Sequence, residues 1–163
     1  MDLYDVMRTA FAAREFAADP VDDGTLYRIL ENARFAPSGG NRQGWRVIVI
    51  RSPETKAAIA DAAIPAARRY AAQVAAGENP WNTVVPTKLS PEQIAATPVP
   101  PLLTEPYRSA PVLLAVCVDL SVVASIDQEL PRVGMASGAS IYPFAWNILL
   151  AARNEGLGGT LTT

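Results

Sequence analysis

The sequence predicts an α+β protein, and three observations carry that prediction. Helical and strand-like stretches follow one another irregularly, without the repeating order of a doubly wound sheet. Only three stretches have strand character, few for a stable sheet in a chain of 163 residues. An edge of that sheet is then completed by a partner chain or by residues absent from this sequence. The longest apolar element, Val133 to Ala152, carries no charge, as a helix buried on all sides or in a subunit interface would.

The elements follow in order. Leu3, Val6, Met7, Ala10 and Phe11 recur at helical spacing, so the first element is an amphipathic helix whose stripe continues through Phe11 into the core. Ala17 to Val21 breaks it. Asp22 or Asp23 caps a second helix with Leu26, Ile29, Leu30 and Ala33 on one face, which runs to about Phe35 before Pro37 stops it. Arg46 to Ile50 is β-branched and apolar on both faces, an interior strand. Ser52-Pro53-Glu54 opens a third helix with a cap, a proline in the first turn and an acid at the positive end of the dipole. That helix is alanine-rich and fades by Gly77. Between Pro80 and Pro111 stand eight prolines, which leave room for one short capped helix from Ser90. The excursion over 77–111 reads equally as surface or as a lid over a pocket. Leu113 to Val118 is a second buried strand containing the lone Cys117, a small apolar residue there. The uncharged helix follows, kinked by Pro143. Glu155-Gly156-Leu157-Gly158-Gly159-Thr160 is a glycine helix stop leading into a short strand.

The totals bound the function. Residues 1–163 read as one domain with a real core. A net charge of -2 gives no electrostatic case for nucleic acid. The uncharged run is too rich in Gly, Ser, Pro and Asn for a lipid-facing span, and no secretory signal opens the chain, so a cytoplasmic protein is expected. No histidine occurs and only one cysteine, which excludes His-assisted nucleophiles, His-ligated zinc and an internal disulfide. An enzyme of this composition relies on a bound cofactor for its chemistry.

The stretch to watch is Ala36-Pro37-Ser38-Gly39-Gly40-Asn41-Arg42-Gln43-Gly44-Trp45, a loop between a helix and a strand. Its hydroxyl, carboxamides and glycines suit a flat heterocycle edged with carbonyls and ring nitrogens. Taken alone, the cluster is also ordinary turn chemistry. Elsewhere, Trp45 and Trp146 read as core, Trp81 as a pocket wall, and Arg42 and Arg46 as solvated loop charges. Glu155 sits unfavourably at a helix C-terminus, and the sequence offers no function for it.

The loop resembles the Pro-Ser-x-x-Asn-x-Gln-x-Trp motif of the FMN-dependent nitroreductase family, with Gly44 where that family usually has Pro. Two further places fall in the family's order: Arg14 at the end of the first helix, and the long helix with Asn147 leading into Gly156-Leu157-Gly158-Gly159. The resemblance implies a nitroreductase-like α/β sandwich, a central mixed sheet flanked by helices, and a homodimer in which the loop often reaches the flavin across the interface. It implies Arg14 on the FMN phosphate, and Pro37, Ser38, Gly39, Asn41 and Gln43 along the ring. The backbone of Gly158, Gly159 and Thr160 would face the ring near N5. It implies no metal and no catalytic side chain. NAD(P)H would deliver hydride to flavin N5, and a nitroaromatic, quinone or similar small molecule would take the electrons in a ping-pong cycle. Two departures stand out. The family's Arg-Ser-x-Arg phosphate element reads Phe11-Ala12-Ala13-Arg14 here, with Arg8 as a substitute one turn earlier. The sequence also ends at Thr163, where family members usually continue with another helix, a strand and a basic phosphate contact. A non-catalytic flavin-sequestering relative is the alternative reading, and a deazaflavin or an enone-type acceptor a third.

Overall fold

Asp22 decides where the second helix begins. Its carboxylate accepts from the Thr25 N–H at 2.9 Å, and helix α2 runs over Asp23–Ala33. The computed structural model describes residues 1–163. They form two compact units, one of residues 1–49 and 114–163, the other of residues 50–113.

The first unit holds α1 (Leu3–Thr9), α2, α6 (Tyr142–Asn154) and, apart from Ile50 and Leu113, the strands β1 (Trp45–Ile50) and β2 (Leu113–Val118). Its core gathers Ile29 and Ala33 of α2, Trp45 of β1, and Phe144 and Ile148 of α6. The Trp45 and Phe144 rings stack with centroids 4.6 Å apart and planes 3° from parallel. Trp45 is core, as expected. The Asp119 N–H donates to the Gly44 carbonyl at 2.7 Å. That bond joins the residue before β1 to the residue after β2, so the two strands run antiparallel.

Several expectations change here. The strands are not interior on both faces: Val47, Leu114 and Val116 pack against the core, whereas Ile48 is 56% exposed and Val49 41%, because no layer of the chain packs over the other face. Cys117 is exposed rather than buried for the same reason. The expected third strand reduces to one parallel bridge between Ala12 and Gly159. Pro143 does not kink the last helix. It occupies the first turn of α6, where its missing N–H costs nothing, and residues Ala136–Ser140 form a separate 3-10 turn. Within the chain α6 buries one face only: Phe144 is 2% exposed and Trp146 45%. Trp146 is therefore not core. Phe11 is not core either, because α1 stops at Thr9 and the side chain is 62% exposed.

The second unit is built on α3 (Pro53–Ala75), capped by Ser52 and ended by Gly77 at φ 71°, as the sequence indicates. Against it lie α4 (Pro91–Ala95), with its capping box, and α5 (Glu105–Ser109). The buried Lys56 ammonium donates to the Ala110 carbonyl at 2.8 Å. Glu78 ties the proline-rich segment down by accepting from Thr87, Lys88 and Gln73. Trp81, expected as a pocket wall, carries the Arg69 guanidinium 4.3 Å from its ring centroid. No helix is long and apolar enough to cross a membrane.

Candidate functional site

The glycine stop of α6 shapes the first half of the site. Gly156 takes φ 84°, its N–H donates to Arg153 at 3.0 Å, and the Leu157 N–H donates to Ala152 at 2.9 Å. This is the Schellman pattern, in which a left-handed residue closes the last carbonyls. The chain then turns back beside the residues that follow α1. The Ala13 N–H donates to the Gly159 carbonyl at 3.1 Å. The approach is close: a Cβ at Gly159 would stand 2.9 Å from the end of the Leu149 side chain, and one at Gly158 would stand 3.2 Å from Ala13 and 3.4 Å from the Phe11 ring.

Between these segments lies an open-sided hollow of about 280 Å³ lined by Phe11, Ala12, Arg14, Trp146, Arg153, Gly158, Gly159, Thr160 and Leu161 among others. Its only charged lining residues are the two arginines. Arg14 is exposed and enters no ion pair. Arg153 gives its Nε–H to Thr9 Oγ1 at 3.0 Å, which leaves its terminal nitrogens available. Arg8 does not reach the hollow and lies instead against the Tyr4 ring. The volume is at the lower edge of ligand pockets, about 300–1,000 Å³, as befits part of a site.

The second half is the loop after α2. Ser38 organises it: its carbonyl accepts from the Asn41 N–H at 2.8 Å and its hydroxyl from the Gln43 N–H at 3.0 Å. Gly40, Asn41 and Gln43 all have positive φ, of 62°, 52° and 51°. For the two amides this costs on the order of 1 kcal/mol each, and such strain collects at sites where side chains must be aimed. Gln43 Nε2 donates to Asn41 Oδ1 at 3.1 Å, fixing the pair edge to edge. The Gly39 N–H donates to the buried Ser140 Oγ at 3.0 Å.

Asp127, which is 5% exposed, holds the start of the 3-10 turn that ends at Ser140. The Asp127 carboxylate accepts from the Met135 N–H at 2.7 Å, from Arg132 at 2.8 Å and from the Ala136 N–H at 3.1 Å. Those donors, the Met135 amide first, pull its pKa down to about 2. Gly44 has no room for a side chain, since a Cβ would meet Val122 at 2.8 Å and Val123 at 3.0 Å. Arg42 reaches the Val122 carbonyl at 3.3 Å, and Arg46 the Trp45 carbonyl at 2.8 Å.

Within one chain, Arg14, Gly158, Gly159 and Thr160 come together in the hollow. Pro37, Ser38, Gly39, Asn41 and Gln43 do not line it. Sequence reasoning overlooked Arg153, Trp146 and Ser140 as site residues. Arg153 looks like an ordinary cation in the last turn of a helix, and only the bend at Gly156, which turns the chain back beside Ala12 and Ala13, makes it line the same hollow as Arg14.

The sequence profile of the nitroreductase family matches residues 8–163. The chain belongs to this family. An NADH dehydrogenase of Thermus thermophilus is 50% identical over 50 residues, 31% of this chain and 24% of that protein. A 5,6-dimethylbenzimidazole synthase of Rhodobacter capsulatus is 38% identical over 76 residues, 47% of this chain and 36% of that protein. The matched stretch thus spans about a quarter to a third of these curated relatives' length. In structure, the nitroreductase-family chain superposes on oxidized iodotyrosine deiodinase bound to FMN and 3-iodo-L-tyrosine with a TM-score of 0.66 at 22% identity, covering 99% of this chain and 74% of that one. A BluB-like flavoprotein from Clostridium difficile 630 gives 0.67 at 22% identity, over 97% and 72%. The nitroreductase-like α+β fold is shared.

Proposed function

We propose that this nitroreductase-family chain is an FMN-dependent oxidoreductase acting as a homodimer, moving electrons from NAD(P)H to a nitroaromatic, quinone or similar small acceptor. The observation that carries the reading is the hollow itself. Guanidinium and glycine backbone meet there without a carboxylate, a setting for an anionic group attached to a flat one. The residues fit FMN in kind: Arg14 for the phosphate, and the Gly158, Gly159 and Thr160 backbone for the ring edge. Hydride acceptance and onward electron transfer are the chemistry FMN supplies when bound. The chain's share is to bind, orient and exclude water. No side chain has to move a proton, in keeping with a sequence that has no histidine.

The loop supports the dimer. Asn41 and Gln43 are held in strained, aimed conformations yet line no part of their own chain's hollow. A second copy would bring them to its partner's cofactor. Leu3 and Met7 of α1 and Tyr142 and Trp146 of α6 are apolar or aromatic and exposed, a surface that association would cover.

One observation favours the alternative, a flavin-binding relative without turnover: the Phe11 ring lies against Gly158, on backbone the ring edge would use. Anaerobic mixing separates the two readings. Rapid bleaching of the flavin by NADH or NADPH, then recovery on adding menadione or nitrofurazone, is expected of the enzyme. A bound flavin that neither nicotinamide reduces would leave the sequestering protein.

A further inference from the structure

We propose that Arg153 and Arg14 together form the phosphate cradle of the hollow, Arg153 supplying the second guanidinium in a chain whose corresponding loop carries Phe11 and Ala12. This inference rests on the FMN reading given above. Both arginines line one hollow that has no acidic residue, so neither charge is neutralised there. Arg153 is half-buried and its direction is fixed, because Thr9 Oγ1 accepts its Nε–H at 3.0 Å. Thr9 is in turn anchored by giving its own hydroxyl proton to the Asp5 carbonyl. The terminal nitrogens of Arg153 remain as donors that can bind two oxygens of one phosphate, the geometry in which arginine differs most from lysine. Thr9 is thus a positioning residue. Arg14, on exposed chain lining the same hollow, supplies the second charge.

The test compares two ligands that differ only in the phosphate. Dissociation constants for FMN and for riboflavin are measured on the intact protein and on Arg153→Leu, Arg14→Leu and Thr9→Val. The intact protein is expected to prefer FMN strongly. Each arginine variant should lose roughly ten- to a hundredfold in FMN affinity, the worth of a hydrogen bond to a charged group, with riboflavin affinity unchanged. Thr9→Val should lose less, with the same selectivity. Equal losses for both ligands would give Arg153 a role in shaping the hollow only and overturn the cradle. So would an unchanged preference for FMN. Should Arg153→Leu not fold, Arg153→Lys decides, since it keeps the charge without the fork: reduced preference supports the cradle, and full preference overturns it. An intact protein that binds both ligands equally would overturn the cradle while the flavin reading stands. One that binds neither would overturn both.

Discussion

Asn41 carries two demands at once, a left-handed backbone and an amide held by Gln43. The two separate by substitution. Asn41→Ala keeps neither, and should lower stability by about 1 kcal/mol through its positive φ. Asn41→Gly frees the backbone and should not destabilise. Both should weaken FMN binding by about 1–3 kcal/mol if the carboxamide serves the cofactor. Denaturant melts alongside flavin titrations read the two effects. Gly44 poses a simpler question of space. Gly44→Ala should cost about 1–3 kcal/mol by overpacking, and Val122→Ala should recover part of it in the double variant, which a double-mutant cycle measures. At this scale the loop was legible from its residue types. The reason Gly44 replaces proline was not, because Val122 and Val123 lie far along the chain and only folding puts them above it.

Among the elements, the segment leading into α6 depends on one carboxylate. Asp127 titrates near 2 in the folded chain, below the ordinary value of 3.8. Its contribution to stability is therefore complete above about pH 4 and lost as pH falls through about 2. Asp127→Asn should lower stability at neutral pH and flatten the acid limb between those values, read from denaturation midpoints across a pH series. Loosening here should also loosen the loop, through Ser140 and Gly39. The aromatic stack is the other pillar. Phe144→Ala should cost about 3–5 kcal/mol, visible as an early thermal transition. Helix ends were readable because Asp22, Ser52, Ser90 and Gly77 act on their own neighbours. Strand burial was not, because β1 and β2 look interior by composition while the chain packs its core against one face only. Glu155, which had no account in the sequence, accepts from Arg28 of α2 at 2.7 Å and joins two helices.

For the whole molecule, the proposed homodimer has one main consequence, a site divided between copies. The apolar stripe of α1 and the uncharged run of α6 were legible, but such patterns mark a face to be covered without saying whether the same chain or a partner covers it. On the dimer reading, an Arg14→Leu subunit and an Asn41→Ala subunit each spoil both sites of their own homodimer. A mixed dimer gathers both lesions in one site and leaves the other intact. Flavin binding should then recover toward one site in two within the mixed dimers, about a quarter of all sites in a statistically re-paired mixture, when the two variants are unfolded and refolded together. Recovery absent from a mixture shown to contain mixed dimers would place loop and hollow on separate tasks.

The central claim is that this chain holds FMN despite the loss of part of its family's phosphate element. A visible absorption spectrum of the purified protein, with the mass of whatever denaturation releases, tests it most directly. The account predicts flavin bands and the mass of FMN, or uptake of added FMN by protein purified without it. A colourless protein that takes up no added FMN would contradict it.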